Sequence, residues 1–192
     1  MKLKQMVACS ALMAVSGAAL ADGFRGSVGA MSEYLFRGVE GSAGAAVQGE
    51  LYYAWDGGYY AGAWITNARA ASNKTDLYAG YEGKFGELTL GGGAVYRLYS
   101  EDREHGTLNP KGEELDYAEL FATAGLGPLT FTAYVTNDYF GTSENGVYLT
   151  GDATLVYSET VSFIFQAGFN AGEGVTIMRG EEFTDYSATL EK

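Results

Sequence analysis

Asp76-Leu77-Tyr78-Ala79-Gly80-Tyr81-Glu82-Gly83-Lys84, then Phe85-Gly86, then Glu87-Leu88-Thr89-Leu90-Gly91-Gly92-Gly93-Ala94-Val95-Tyr96-Arg97-Leu98 reads as two strands joined by a tight turn. In the first run Leu77, Ala79 and Tyr81 alternate with Asp76, Gly80, Glu82 and Lys84. In the second, Leu88, Leu90, Ala94, Tyr96 and Leu98 alternate with Glu87, Thr89, Gly91, Gly93 and Arg97. Side chains of a strand point to opposite faces with period two, so each run has one apolar and one polar or small face. Working outward, the same pattern recurs. Val47, Leu51, Tyr53 and Trp55 oppose Gln48, Glu50 and Tyr52; Leu129, Phe131, Ala133 and Val135 oppose Thr130, Thr132 and Thr136. Val147, Leu149, Ala153 and Leu155 oppose Thr150, Asp152 and Thr154; Val161, Phe163, Phe165, Ala167 and Phe169 oppose Ser162, Gln166 and Asn170.

Connectors alternate in length. Tight ones fall at Asp56-Gly57, Phe85-Gly86, Gly125 to Pro128 and Ser158 to Thr160. Longer ones fall near Gly38 to Gly44, Arg69 to Lys74, Ser100 to Gly112, Asn137 to Asn145 and Ala171 to Glu182. Short turns at one end and long loops at the other are the rhythm of an outer-membrane barrel. Strands in lipid must pair every backbone group, which favours closure of the sheet on itself. The expected fold is therefore all-β, an antiparallel up-and-down transmembrane β-barrel of about ten strands.

Three stretches are less regular. Glu33 and Arg37 place Val28, Ala30, Tyr34 and Phe36 of the first strand toward lipid and the two charges inward, because an outward charge near the bilayer midplane is costly. Tyr59 to Asn67 carries apolar residues on both faces. Glu119 orients its strand with Ala118, Leu120 and Ala122 outside and Tyr117 and Phe121 inside. Aromatics at Tyr34/Phe36, Tyr53/Trp55, Tyr96, Tyr139/Phe140 and Tyr157 fall near strand ends, where interfacial girdles lie.

The N-terminus has Lys2 and Lys4, an apolar run from Met6 to Leu20 and small residues before Asp22, the three parts of a cleavable secretory signal. Residues 1–21 are read as that signal and 22–192 as one barrel domain. Cys9 lies in the signal, so the mature chain offers no disulfide. Tyr 15, Gly 28 and Pro 2 among 192 residues, with a mean hydropathy of -0.07, suit a wall that meets lipid at every second residue. The 24 acidic residues all follow Ala21, whereas two of the 12 basic ones lie in the signal. An acidic mature chain is a poor partner for nucleic acid. The expected partners are outer-membrane lipid and small solutes or ions, in a Gram-negative outer membrane.

Ser32-Glu33-Tyr34-Leu35-Phe36-Arg37-Gly38, Ala46-Val47-Gln48-Gly49 and the hairpin Trp55-Asp56-Gly57-Gly58-Tyr59-Tyr60-Ala61-Gly62-Ala63-Trp64 resemble the TorF family of porins. Asp76 to Tyr81, Glu114 to Glu119 and Asn137 to Gly141 extend the likeness across nearly the whole mature chain. The resemblance implies a porin-type outer-membrane barrel with no defined substrate. Similar proteins continue for about two more strands and finish on an aromatic residue, whereas this sequence stops at Tyr186 to Lys192; a truncated sequence would imply a twelve-stranded parent.

The residues expected to line a pore are Glu33, Arg37, Glu50, Asp76, Glu82, Lys84, Glu87, Arg97, Glu119 and Asp152, with Asp185 and Glu191 further inward acids. Their acidic excess predicts a lumen that weakly favours cations. Alternatively, Arg37 and Arg97 each bridge carboxylates across a small interior and leave no continuous water path. His105, the single histidine, sits in Glu101-Asp102-Arg103-Glu104-His105 with no serine at a nucleophile's spacing. It reads as a solvated loop residue, so no catalytic, metal or cofactor site is assigned and the protein is not expected to be an enzyme. A non-conducting structural or adhesive barrel acting through its loops is the other class considered.

Overall fold

A computed structural model describes residues 22–42, 44–67, 73–100, 114–158 and 161–191. Residues 1–21, read from the sequence as a signal, His105 with its acidic neighbours, and most of the connector from Ser100 to Gly112 lie outside the described residues. Ten strands form one antiparallel sheet: β1 (Gly23–Met31), β4 (Ala46–Ala54), β5 (Tyr59–Asn67), β6 (Asn73–Phe85), β7 (Leu88–Tyr99), β8 (Tyr117–Leu126), β9 (Leu129–Thr136), β10 (Gly146–Ser158), β11 (Val161–Ala171) and β12 (Phe183–Glu191). Each pairs with the next along the chain, a meander whose edges are β1 and β12. Among the described residues no ladder joins those two edges, so the sheet itself is an open one.

The alternation in the sequence becomes a two-faced wall. The outer face exposes Val28, Val47, Leu51, Ile65, Leu77, Leu120, Phe131, Leu149 and Phe165, with Val28 87% and Leu120 62% accessible. On the opposite face Trp64, Asp76, Tyr78, Arg97, Glu119, Tyr134, Tyr148 and Asp185 are buried. Residues paired across an antiparallel ladder share a face. Trp64↔Asp76, Asp76↔Arg97 and Phe121↔Tyr134 thus fix the inner surface strand by strand. Tyr59 to Asn67 is apolar on both faces because Tyr60 and Trp64 join Tyr34, Tyr78 and Val95 in an inner aromatic cluster, while Tyr59 and Ile65 stay outside.

The first strand departs from expectation. It ends at Met31, and the chain turns inward as a small hairpin, β2 (Leu35–Phe36) with β3 (Val39–Glu40). Tyr34, expected on the lipid face, is buried and tilted against Trp64 at 5.5 Å. Phe36 is partly buried and packs against both aromatic clusters rather than continuing β1. The hairpin tip is Arg37-Gly38 with φ of 50° and 77°, the positive pair a two-residue turn needs to match strand twist. Gly38 is required twice over: besides its φ, a Cβ there would lie 2.3 Å from the Asp185 Cβ on β12. The Asn137 to Asn145 connector forms a 3-10 turn, Tyr139–Gly141, and the Ala171 to Glu182 connector holds α1 (Glu173–Arg179). Tyr139 and Phe140 were expected in an outer girdle. Both are instead buried with Tyr117 and Val175 in a second cluster that covers the hairpin.

Close packing on the inner face yields one expectation. A Cβ on Gly62 would come within 2.4 Å of the Tyr52 Cβ and 2.7 Å of the Leu51 carbonyl, whereas one on Gly49 would find nothing nearer than 3.9 Å. Gly62→Val should cost about 1–3 kcal/mol through overpacking, and Gly49→Ala should leave a urea midpoint nearly unmoved.

Candidate functional site

The interior is organised around five charged side chains. Arg37 comes from the hairpin tip, Lys74 and Asp76 from the start of β6, Arg97 from the end of β7 and Glu119 from the start of β8. Arg37 donates from both terminal nitrogens to Glu119, Nη1 to Oε1 at 2.8 Å and Nη2 to Oε2 at 2.7 Å. Arg97 donates through Nε to Glu119 Oε2 at 2.7 Å and through Nη1 to Asp76 Oδ2. Lys74 Nζ completes the chain with a 2.7 Å bond to the same Asp76 oxygen. The order is Arg37, Glu119, Arg97, Asp76, Lys74, cation and anion in alternation, with three positive charges against two negative.

Burial explains why the cluster is so tightly paired. Lys74, Arg97 and Glu119 are each 2% exposed and Arg37 is 6% exposed. A charge withdrawn from water to that degree persists only if paired and hydrogen-bonded. Aromatic faces supply the remaining contacts. The Arg37 guanidinium lies 4.9 Å from Tyr134 and 4.5 Å from Tyr148, and Lys74 Nζ lies 4.6 Å from Phe36 and 4.9 Å from Trp64, distances at which a ring quadrupole attracts a cation. Burial pushes the Tyr34 phenol well above its ordinary range, so it stays neutral beside these cations. Nearby, Tyr148 donates to Asp185 Oδ1 at 3.2 Å and Asn170 to Asp185 Oδ2 at 3.0 Å, under the backbone of Gly38.

The hairpin with the preceding Tyr34 therefore meets residues of β5, β6, β7, β8, β9, β10 and β12, and a sheet can present all of these to seven residues only by curling around them. All five charges lie at the long-connector end. The other half of the inner face is less filled: Glu50 accepts from the Tyr78 hydroxyl at 2.9 Å, Asp152 from Gln166 at 2.8 Å, and both carboxylates and Glu82 are half-buried.

The ten residues singled out by sequence thus divide. Arg37, Asp76, Arg97 and Glu119 come together in the cluster, while Glu50, Glu82 and Asp152 lie apart along the other half. Glu33 sits in the bend before the hairpin, Lys84 is exposed near the end of β6, and Glu87 belongs to the β6–β7 turn. Sequence reasoning missed Lys74 by assigning it to a connector. It is two residues before Asp76, and extending the alternation one step back would have put it on the same face. Both Glu119 oxygens and Asp76 Oδ2 are committed to guanidinium and ammonium groups, and Asp76 Oδ1 is buried without a hydrogen-bond partner, so the contacts made here are electrostatic. Among the described residues no three metal-ligating side chains converge.

These features define an all-β protein, a meander curled round an ion-paired hairpin. The chain belongs to the Gcw_chp family, bacterial proteins of unknown function, whose sequence profile matches residues 16–192. No curated protein and no solved structure matches it.

Proposed function

We propose that the protein is an outer-membrane β-barrel of Gram-negative type that acts as a porin-like passive channel for small solutes or ions, with a weak preference for cations. The observation that carries this reading is the division of the sheet into a continuous exposed apolar face and an inner face of buried charges and tyrosines. A water-soluble sheet would present these faces the other way round. Exposed apolar surface of this extent marks a site that something apolar covers. Lipid fits it because the polar face is already turned inward.

Two further features support the reading. Phe24, Tyr53, Trp55, Tyr59, Tyr81, Phe85 and Tyr157 fall near the short-turn ends, and Tyr53 stacks between Phe24 at 4.8 Å and Trp55 at 4.9 Å, as an interfacial girdle would. The free edges β1 and β12 would have to pair in lipid, where unsatisfied backbone groups cost several kcal/mol each, so the barrel closes by joining them. The N-terminus and short turns then face the periplasm.

The cation preference rests on Glu50, Glu82 and Asp152. Glu50→Gln with Glu82→Gln should move the reversal potential in a salt gradient toward that of a non-selective pore. An unchanged reversal potential would contradict their place in the conduction path. The second reading, a non-conducting barrel that works through its loops, is favoured by the hairpin and its five-charge cluster, which occupy the interior at the long-connector end. Liposome swelling with small sugars separates the two, since a permanently sealed barrel passes none, whereas a channel that opens only part of the time still swells the liposomes, more slowly.

A further inference from the structure

We infer that the hairpin Leu35–Glu40 is a latched plug: docked, it closes the channel at the long-connector end, and the Arg37–Glu119 pair is the latch. This rests on the channel reading and goes beyond it by naming the closing element, its fastening and the selectivity of the open form.

The hairpin is a small unit of the interior, six residues long. Its own ladder is two residue pairs, and its backbone is anchored by Gly41 and Ser42 donating to the Tyr34 carbonyl at 2.8 and 3.2 Å. Ser42 Oγ closes its base, accepting from the Tyr34 N–H at 2.8 Å, and the other contacts that hold it are tertiary: Arg37 on Glu119, Phe36 under Lys74, Tyr34 against Trp64 and Gly38 on Asp185. The flank toward β4 includes Gly44 at φ 140° with open space where a Cβ would be, a position that can absorb a backbone rotation. Arg37 itself holds a left-handed φ of 50°, which the two-residue turn imposes and an arginine adopts at some cost.

The ionic chain of the wall survives when the hairpin leaves. Glu119 keeps Arg97, and Arg97 keeps Asp76, which keeps Lys74. The four residues that remain are two cations and two anions, so the cluster falls from net positive to neutral. Asp185, on which Gly38 sits, adds a carboxylate beside the cluster, and the inner face beyond is acidic, with Glu50, Glu82 and Asp152 against Arg25 and Lys84. Release of Arg37 therefore both opens the path and removes one positive charge from a balanced region, leaving it net negative, and the open form should select for cations.

The test is planar-bilayer recording of the refolded full chain in a Cys9→Ser background. Four proteins are compared: the parent, Arg37→Met, a variant with residues 34–42 replaced by a Gly-Ser linker, and Arg37→Cys/Glu119→Cys joined by a cleavable bifunctional thiol reagent. The parent should be mostly closed. Arg37→Met should raise the open fraction on the order of a hundredfold, the shift expected from losing one buried pair. The linker variant should stay open with cation-selective current, and the cross-link should close the double variant until it is cleaved. A parent as conductive as the linker variant overturns the plug and leaves the channel reading standing. A conducting linker variant beside an Arg37→Met that stays closed overturns the latch. A folded but silent linker variant overturns the channel reading, and the plug with it. If Arg37→Met fails to fold, the linker variant and the cross-link decide.

Discussion

Glu119→Leu is expected to destabilise the folded protein by about 3–5 kcal/mol, among the largest effects of any single substitution in the chain. The side chain is 2% exposed and satisfies two guanidinium groups at once, accepting from Arg37 on both oxygens and from Arg97 on one. Removing it leaves the Arg37 guanidinium without a counter-ion for as long as the hairpin stays docked, and the cost is set by that stranded charge rather than by the net worth of the pair. Arg37→Met should cost less, because Glu119 retains Arg97. The double variant Arg37→Met/Glu119→Leu should be less destabilised than the two single losses together, since Arg97 still has Asp76 and no cation is left wholly unpaired. Urea midpoints of the refolded protein in vesicles give all four corners of the cycle. Strict additivity would show that the two residues are not coupled in the folded state.

The second large effect concerns the outer wall. Leu120 in β8 and Phe165 in β11 are 62% and 48% exposed and lie well inside their strands. Replacing either with Arg should cost about 2–4 kcal/mol if that face meets hydrocarbon near the bilayer midplane. A water-facing surface would tolerate the same change within about 0.5 kcal/mol. Folding yield into vesicles is the readout, with Trp55→Arg as a control placed at the edge of the wall, where the penalty falls to about 0–1 kcal/mol. Equal tolerance at all three positions would contradict a lipid-facing wall.

Much of the wall was legible because period-two alternation is a strong local signal. Leu77/Ala79/Tyr81 and Leu88/Leu90 bracket a turn found at Gly86-Glu87, and the tight connectors expected at Asp56-Gly57 and Gly125 to Pro128 sit where β4–β5 and β8–β9 turn, although Gly125 and Leu126 still belong to β8. The inner orientation of Tyr117 and Glu119 followed from the cost of an outward charge. The hairpin was not legible for a related reason. Tyr34 and Phe36 continue the alternation of Val28 and Ala30, so nothing local distinguishes a strand running on from a chain folding back inside the sheet. Only the inner surface, assembled from β5 to β12, shows where those rings go. Tyr139 and Phe140 misled in the same way, since an aromatic at a strand end suits an interfacial girdle and a buried cap equally well. Helix α1 is seven residues long, too short for a helical period to register, and its visible mark is Gly180 in the left-handed conformation just after it.

Within the cluster Arg37 pairs with Glu119 and Arg97 bridges Glu119 and Asp76, the pairing across the interior expected as the alternative to an open lumen. At the long-connector end Arg37, Lys74 and Arg97 balance Asp76, Glu119 and Asp185, while an acidic excess lies toward the short turns, at Glu50, Glu82 and Asp152. Partition of charge along the axis, rather than total charge, is what a permeating ion would meet.

The central claim is that the apolar face of the curled sheet meets lipid while the charged face does not. It is tested most directly by nitroxide labels placed one at a time at Leu77, Leu120, Leu149 and Phe165, and at Gln48 and Thr154, in the protein refolded into vesicles. The account predicts that the first four relax strongly with oxygen and weakly with a water-soluble nickel chelate, with the reverse preference at the two inner positions. Equal access of the nickel chelate to both sets would contradict it.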